Sequence, residues 1–440
     1  MKILRILKNF NLIFLILIII LAFWLRSFNN TTIPRHGATF DEFAWTWLGI
    51  NLIQKGVPIS WSPHSQYKER YHLRYQGAAF WIVKPYLEHP PLFGIVAGTS
   101  ALLSGAKNMH SVTLTNMRRL PLALGVLSIV ALFLFTNSLY GRTIAFISTI
   151  LYATIPTIVI GSRIVQNENF LIPFWLLSLY LIDRYLGTNK RWMRNIAAII
   201  AGLLILAKVP WLVVSLSLGT ILFYKGKWRD ALFVGVTAAG FFALFIVYGI
   251  YFDRQLFFDL WRLQVARYDI SFDGLYSIFT NPLLVDRYYL DGWILFGWFS
   301  MFLLLKEIKQ HLFLLLPFIA YLIFYVFAIP NEPAHGWYRY PFYPFLVVSS
   351  VVVLQQEWKK LSLVSIFFLF FVGLALLHNT WKELFGFSFF VYRTFIFLTI
   401  VPILYFVWKN KDGGIPKIFL IVWFALFILF SIFSVIVYRE

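Results

Sequence analysis

A polytopic, all-α integral membrane protein is the fold class this sequence predicts, and three observations predict it. Of its 440 residues 60% are hydrophobic and 20% aromatic, and the mean hydropathy is +0.75. A water-soluble chain of this length lacks the interior to hide so much apolar surface, so lipid must be its solvent. Apolar runs of about 20 residues, the length that crosses a bilayer as a helix, recur along the chain. Only 13% of residues are charged, and the Lys and Arg among them fall in short clusters between the apolar runs, as positive-inside topology requires.

Taken in order, about thirteen spans are expected, centred near residues 18, 128, 152, 177, 200, 216, 240, 298, 320, 348, 370, 398 and 427. Together they make residues 1–440 a single polytopic membrane domain. The first follows Lys2, Arg5 and Lys8. It ends in Trp24-Leu25-Arg26 where a signal peptide would carry a small-residue cleavage site, so an uncleaved helix is expected. The 196–224 block is one apolar run interrupted by Lys208-Val209-Pro210, read as a tight turn between two short helices.

The basic clusters set the orientation. Lys2/Arg5/Lys8, Arg142, Arg184/Lys190/Arg191/Arg194, Lys225/Lys227/Arg229, Lys306/Lys309, Lys359/Lys360 and Lys409/Lys411/Lys417 fall on alternate loops. All are cytoplasmic if the N-terminus lies inside and the C-terminus outside a plasma or inner membrane. The extracytoplasmic side then receives a long loop over 27–116, a second over 253–290, the shorter segments 162–169, 329–339 and 378–382, and every histidine but His311. The candidate chemistry therefore gathers on that side.

Two parts of the 27–116 loop read as juxtamembrane amphipathic helices. From Asp41, the apolar residues Phe43, Trp47 and Ile50 recur at helical spacing. The second helix starts at Pro90-Pro91, since proline suits a first helical turn, and runs to about Leu103. Leu256, Phe257, Leu260, Trp261 and Leu263 suggest a third in the 253–290 loop.

Composition also excludes whole classes. The net charge of +19 suggests nucleic-acid binding, but its distribution assigns it to topology, so no nucleic-acid partner is expected. With no cysteine, disulfides, thiolate metal sites and cysteine nucleophiles are ruled out. No glycine-rich phosphate loop, zincin helix or serine-nucleophile elbow appears, and no nucleotide cofactor is expected.

The candidate site rests on few residues. Asp41 stands at a helix start, where a carboxylate is well placed to take a proton from a weakly nucleophilic hydroxyl. Thr39-Phe40-Asp41-Glu42 also fits a capping box, with Thr39 as the cap and Glu42 reaching back. Glu88 and His89 precede the proline-started helix. They either cap it, contact a phosphate and acceptor, or supply half of a metal site, with Asp41, Glu168 or His335 as possible further ligands. Glu168, in Arg163-Ile164-Val165-Gln166-Asn167-Glu168-Asn169, stands at the mouth of a span. It is either a headgroup-layer acid or a functional one. Lys208, Arg339 and the Arg118-Arg119 pair either snorkel to headgroups or bind the phosphate of a lipid carrier.

In order and in membrane side, these motifs resemble the GT-C membrane glycosyltransferases, above all the protein O-mannosyltransferases and the aminoarabinose transferases of lipid A. The resemblance rests on Phe40-Asp41-Glu42, Glu88-His89-Pro90-Pro91-Leu92, Arg119-Leu120-Pro121 with Gly125, and Tyr140-Gly141-Arg142. Pro156, Ser162-Arg163, Glu168, Gly202 with Lys208, and Arg339-Tyr340 with Pro344 extend it across about residues 1–350. The chain departs from the pattern in having no arginine shortly after the acidic pair and Glu at the second acidic position.

The resemblance implies a polyprenyl- or dolichyl-phosphate sugar as donor. It implies an acceptor hydroxyl on a glycan, lipid or protein, single displacement with inversion, and a site in contact with membrane lipid. Asp41 would be the base, with Glu42 beside it and Glu168 positioning the acceptor or a divalent metal. The leaving lipid phosphate would meet Lys208, Arg339, Arg163 and Arg119. A flippase or transporter of lipid-linked glycans is the alternative; it predicts polar residues facing a midplane cavity. A structural scaffold is the third reading, and it predicts no gathering of Asp41, Glu88 and Glu168.

Overall fold

The computed structural model describes residues 2–37, 39–266, 292–328, 336–359, 362–380, 388–409 and 414–439. His335 and residues 267–290 of the expected second loop lie outside them. The chain opens with α1 (Lys2–Ser27), followed by α2 (Asp41–Lys55), a small sheet, and α3 (Leu92–Leu103). After the short α4 (Leu114–Met117) come α5 (Arg119–Tyr140), α6 (Arg142–Thr154), α7 (Pro156–Gly161) and α8 (Asn167–Thr188). Next are α9 (Arg191–Ala207), α10 (Leu212–Tyr224) and α11 (Trp228–Ala266). The rest of the described chain is α12 (Gly292–Leu304), α13 (Leu312–Ala328), α14 (Tyr343–Lys359), α15 (Leu363–Thr380), α16 (Phe389–Trp408) and α17 (Gly414–Val437).

Among the described residues, four helices are long and apolar enough to cross a membrane by themselves. They become five if α12 and α13, bent by 118°, count as one span. Several shorter apolar helices accompany them. The multi-pass, largely helical architecture agrees with expectation; the figure of about thirteen spans is not confirmed.

The bundle holds together through helix packing and a few buried cations. The α5 helix packs on α8, α6 and α1, and α9 packs on both α8 and α11. Arg26, fully buried at the end of α1, donates to the carbonyls of Tyr152 and Ala153 at 3.2 and 3.3 Å. A guanidinium kept from water needs such partners. The turn expected at Lys208-Val209-Pro210 is present as a single 3-10 turn, Val209–Trp211, between α9 and α10.

The 27–116 segment departs most from expectation. Residues 60–84 form a three-stranded antiparallel sheet of β1 (Ser60–Trp61), β2 (Glu69–Tyr75) and β3 (Ala78–Lys84), in the order β1-β3-β2. Gln76 and Gly77, both at positive φ, close the β2–β3 hairpin, a turn whose twist matches that of the strands. The sheet buries Phe80 and Ile82 over α2, with Phe80 and Trp47 ring centroids 5.0 Å apart. Covered in this way, α2 is buried all round from Glu42 to Asn51. That corrects its reading as an amphipathic helix lying on lipid.

On its other side α2 meets α3 backbone to backbone. A Cβ on Gly49 would lie 1.8 Å from the Gly94 carbonyl oxygen, and one on Gly98 would lie 2.4 Å from the Ile50 nitrogen. Only glycine allows this approach. It fixes the start of α2, with Asp41, against the segment leading into α3, with Glu88.

The α11 helix breaks at Asp253, where φ is −163° and ψ 103°. The Asp253 carboxylate accepts from the Leu256 nitrogen at 3.0 Å and caps the second half. That half folds back on the first: Trp261 lies 5.5 Å from Phe242 and Phe257 lies 5.2 Å from Phe245, centroid to centroid.

Candidate active site

A cavity of about 900 Å³ opens where the sheet, α2, the Lys208 turn, the folded-back half of α11 and α13 converge. Its polar lining residues are Asp41, His64, Glu88, His89, Gln166 and Lys208. Three helices supply apolar lining: Leu212, Val213 and Leu216 of α10, Phe257, Trp261 and Val265 of α11, and Ala320, Ile323 and Phe324 of α13. Leu216, Ile323 and Val265 are each more than half exposed on the protein surface. The apolar part of the lining therefore reaches the protein surface.

Local structure positions the polar groups. Asp41 is the first residue of α2, half-buried, and its carboxylate accepts from Gln166 Nε2 at 3.3 Å. The same Gln166 amide donates to Thr39 Oγ1 at 3.0 Å. Two residues on, Glu168 sits in the first turn of α8, where backbone N–H groups favour a carboxylate. Glu168 Oε1 accepts from Lys208 Nζ at 2.8 Å, with both residues buried. Asn167 holds this arrangement together: it donates to the Ala207 carbonyl at 2.8 Å and accepts from Trp211 Nε1 at 2.7 Å. The segment 166–168 thus ties Asp41 to Lys208. The Lys208 ammonium also lies over the Tyr338 and Trp211 rings, 4.6 and 5.3 Å from their centroids.

Also on the cavity lining, Glu88 accepts from the Tyr67 hydroxyl at 3.1 Å and lies 3.5 Å from His64 Nε2. Burial, and then the charge of Glu88, push the Tyr67 hydroxyl well above the usual tyrosine range, so it remains a proton donor to Glu88. Burial does the same to Tyr86, with Glu88 and Asp41 adding to it. His89 packs its ring against Trp45 at 5.1 Å.

The structure therefore brings Asp41, Glu88, His89 and Lys208 to one cavity, with Glu168 behind Lys208. Other expected residues are placed elsewhere. Glu42 is turned into the core, where Arg118 Nε and Nη2 grip its two oxygens at 3.0 and 2.8 Å and the Val165 nitrogen donates to it at 3.0 Å. This forked pair is structural, and it replaces the expected capping box: Thr39 accepts from the Asp41 nitrogen, while no side chain caps α2. Arg163 is buried and donates to the carbonyls of Leu25 and Ile33, away from the cavity. Arg119 is exposed at the start of α5, outside the cavity lining. Arg339 is buried in the 3-10 segment Gly336–Phe342, also outside that lining.

His64 and Gln166 were not expected. Gln166 lies in the stretch that carries Glu168, His64 lies in no motif, and only the fold carries them to Asp41 and Glu88. Among the described residues, no group of three or more His, Asp or Glu converges on a possible metal position. Glu88 and His64 supply one carboxylate and one imidazole, short of a metal-holding set.

Comparison with known proteins places this geometry. A family model described as dolichyl-phosphate-mannose-protein mannosyltransferase matches residues 88–251. The structure is similar to that of ArnT from Cupriavidus metallidurans, solved bound to undecaprenyl phosphate. The TM-score is 0.57 at 16% identity, covering 98% of this chain and 77% of ArnT. It is also similar to the archaeal oligosaccharyltransferase AglB from Archaeoglobus fulgidus, solved with an inhibitory peptide and a dolichol-phosphate. There the TM-score is 0.52 at 13% identity, covering 97% of this chain and 56% of AglB. No curated protein sequence matches the chain. The chain has the GT-C fold of multi-pass membrane glycosyltransferases, and the resemblance expected from its ordered motifs stands.

Proposed function

We propose that the chain transfers a sugar from a polyprenyl- or dolichyl-phosphate donor to an acceptor hydroxyl at the extracytoplasmic membrane face, with inversion at the anomeric carbon. One observation carries this reading: Asp41 and Lys208 line one cavity together with apolar side chains of α10, α11 and α13, of which Leu216, Ile323 and Val265 reach the protein surface. A lipid-phosphate sugar combines the same two characters, with a long apolar tail and an anionic, sugar-bearing head. The fold shared with ArnT and AglB, solved with undecaprenyl phosphate and dolichol-phosphate, supports the same donor class.

In the proposed reaction the acceptor O–H gives its proton to the Asp41 carboxylate while its oxygen attacks the anomeric carbon. The bond from that carbon to the phosphate oxygen breaks, and its electron pair leaves with the phosphate. Lys208 meets the charge that develops there, where a fixed cation in a water-poor site acts most strongly. Gln166 orients Asp41 through its amide. Glu168 holds Lys208 in place until the phosphate competes for it. Glu88, His64 and His89 contact the sugar or the acceptor.

The flippase alternative predicts polar groups facing a midplane cavity and no release of lipid phosphate. The test is to incubate purified protein with a panel of lipid-phosphate sugars and an acceptor extract, and to follow release of lipid phosphate. Sugar-dependent release supports transfer; movement of intact donor across the bilayer without release supports the flippase.

A further inference from the structure

The open face of the sheet carries a row of cations that the proposed reaction does not use. Alternate residues of a strand point to the same side. Arg70, His72 and Arg74 of β2 therefore share one face, opposite Val83, Trp81 and Ala79 of β3. All three are exposed, while Phe80 and Ile82 are buried beneath the other face; on the cations' own face Val83, opposite Arg70, is buried too. Trp81 forms the floor of the row. The Arg70 guanidinium lies 4.7 Å from its ring centroid, and the His72 ring lies 3.4 Å away, centroid to centroid.

Between Lys68 and Lys84 the sequence has four Lys or Arg (68, 70, 74 and 84) and a single acid, Glu69. Glu69 approaches Lys84 at 3.8 Å. Among the described residues neither Arg70 nor Arg74 has a carboxylate partner.

The ordinary explanations do not account for this row. In the orientation expected from the basic clusters, the sheet lies on the side from which Lys and Arg are normally depleted. Protection of an edge strand needs one or two charges, and does not need them aligned on a sheet face. A surface that seats in lipid inserts Trp, Phe or Leu, yet Tyr71 is the one large apolar side chain exposed between residues 54 and 94.

We propose that Arg70, His72 and Arg74 bind an acceptor glycan that carries phosphate or carboxylate groups, and that they guide its end into the cavity. The register gives the path. Lys84 pairs with Glu69 at the end of the hairpin from which the chain runs directly on to Tyr86, Glu88 and His89 of the cavity. From Arg70, beside that end, the row extends about 13 Å to Arg74. Phosphate or carboxylate groups spaced along a glycan match such a row. The proposal rests on the transferase reading and names its acceptor class.

The test is a binding measurement on the full-length protein in detergent, with fluorescently labelled mannopentaose phosphate as the probe. Uncharged mannopentaose is the control, and phosphatidylglycerol nanodiscs form a separate arm. The phosphorylated glycan should bind at least about tenfold more tightly than the neutral one, and less tightly as salt is raised. Arg70→Glu with Arg74→Glu should weaken it by about tenfold or more, with melting temperature and cavity activity on a neutral acceptor unchanged. Equal binding of the two glycans, or undiminished binding by the double variant, would overturn the proposal. So would a loss confined to the phosphatidylglycerol nanodiscs, which would reassign the row to lipid headgroups. Binding is read without turnover, so a failure of the transferase reading leaves a separate signature: intact glycan binding with no release of lipid phosphate.

Discussion

Lys208 Nζ and Glu168 Oε1 stand 2.8 Å apart at the edge of the cavity, with both side chains shut away from water. A buried pair of this kind contributes little net stability, but losing one partner strands the other. Lys208→Met should therefore lower stability by about 3–5 kcal/mol, read as a fall in melting temperature. Lys208→Met with Glu168→Gln should recover most of that loss yet remain deficient in donor binding. A double variant with normal donor affinity would show that Lys208 is purely structural.

Glu42 and Arg118 form the second buried pair, with two parallel contacts. Arg118→Lys keeps the charge but loses the fork. It should destabilise the protein by a few kcal/mol, about the cost of a strained buried pair. Because Glu42 faces the core, the protein that remains folded should keep its donor affinity, which thermal melting and donor titration on the same sample would check.

The glycine contact of α2 with α3 leaves no room for a side chain. Gly98→Ala, whose Cβ would lie 2.4 Å from the Ile50 nitrogen, should push the helices apart and separate Asp41 from Glu88. Transfer should fall by at least about tenfold, since small misplacements of reacting groups are that costly, even where the protein still inserts. Gly56→Ala, at a site with no neighbour within 4 Å but at a φ of +66°, should cost stability through backbone strain and leave the site intact. Comparing the two by activity per folded molecule separates geometry from stability.

Much of this site was legible in the sequence. Asp41 at a helix start, Glu88 before the Pro-Pro helix and Lys208 in a turn follow from local rules, and the fold kept each of them. What local rules could not supply was long-range pairing. Nothing in the spacing of Glu42 and Arg118, 76 residues apart, marks them as partners, so local rules group Glu42 with its neighbour Asp41. Arg163 was read from its place beside Glu168, yet its guanidinium is taken up by carbonyls at the end of α1 and at Ile33. The hairpin was hidden differently. Its Gln76-Gly77 turn and alternating Arg70, His72 and Arg74 are hairpin signals, but they stand inside a loop read for helices.

Tyr67 links the sheet to Glu88, and its hydroxyl is held well above the usual tyrosine range by burial and by that carboxylate. A group whose folded value is raised stabilises the fold fully below its unfolded value, here 10.0, and loses that contribution as pH climbs through the folded value. Thermal stability should thus decline above pH 10, and less steeply in Tyr67→Phe. The same variant leaves Glu88 one donor short and the Leu87 nitrogen without its 3.3 Å acceptor, so at neutral pH transfer should drop and the melting temperature should fall as well. An identical alkaline profile in the variant would assign the decline to other groups.

The most direct measurement compares wild type with Asp41→Asn, reconstituted in liposomes with a lipid-phosphate sugar that the wild type turns over. The amide keeps the size of Asp41 and its place at the start of α2 but cannot accept the proton. Release of lipid phosphate should fall by at least about 10²-fold, the usual contribution of a general base, with insertion, melting temperature and donor binding retained. Full activity in a properly folded Asp41→Asn would contradict the assignment of Asp41 as the base.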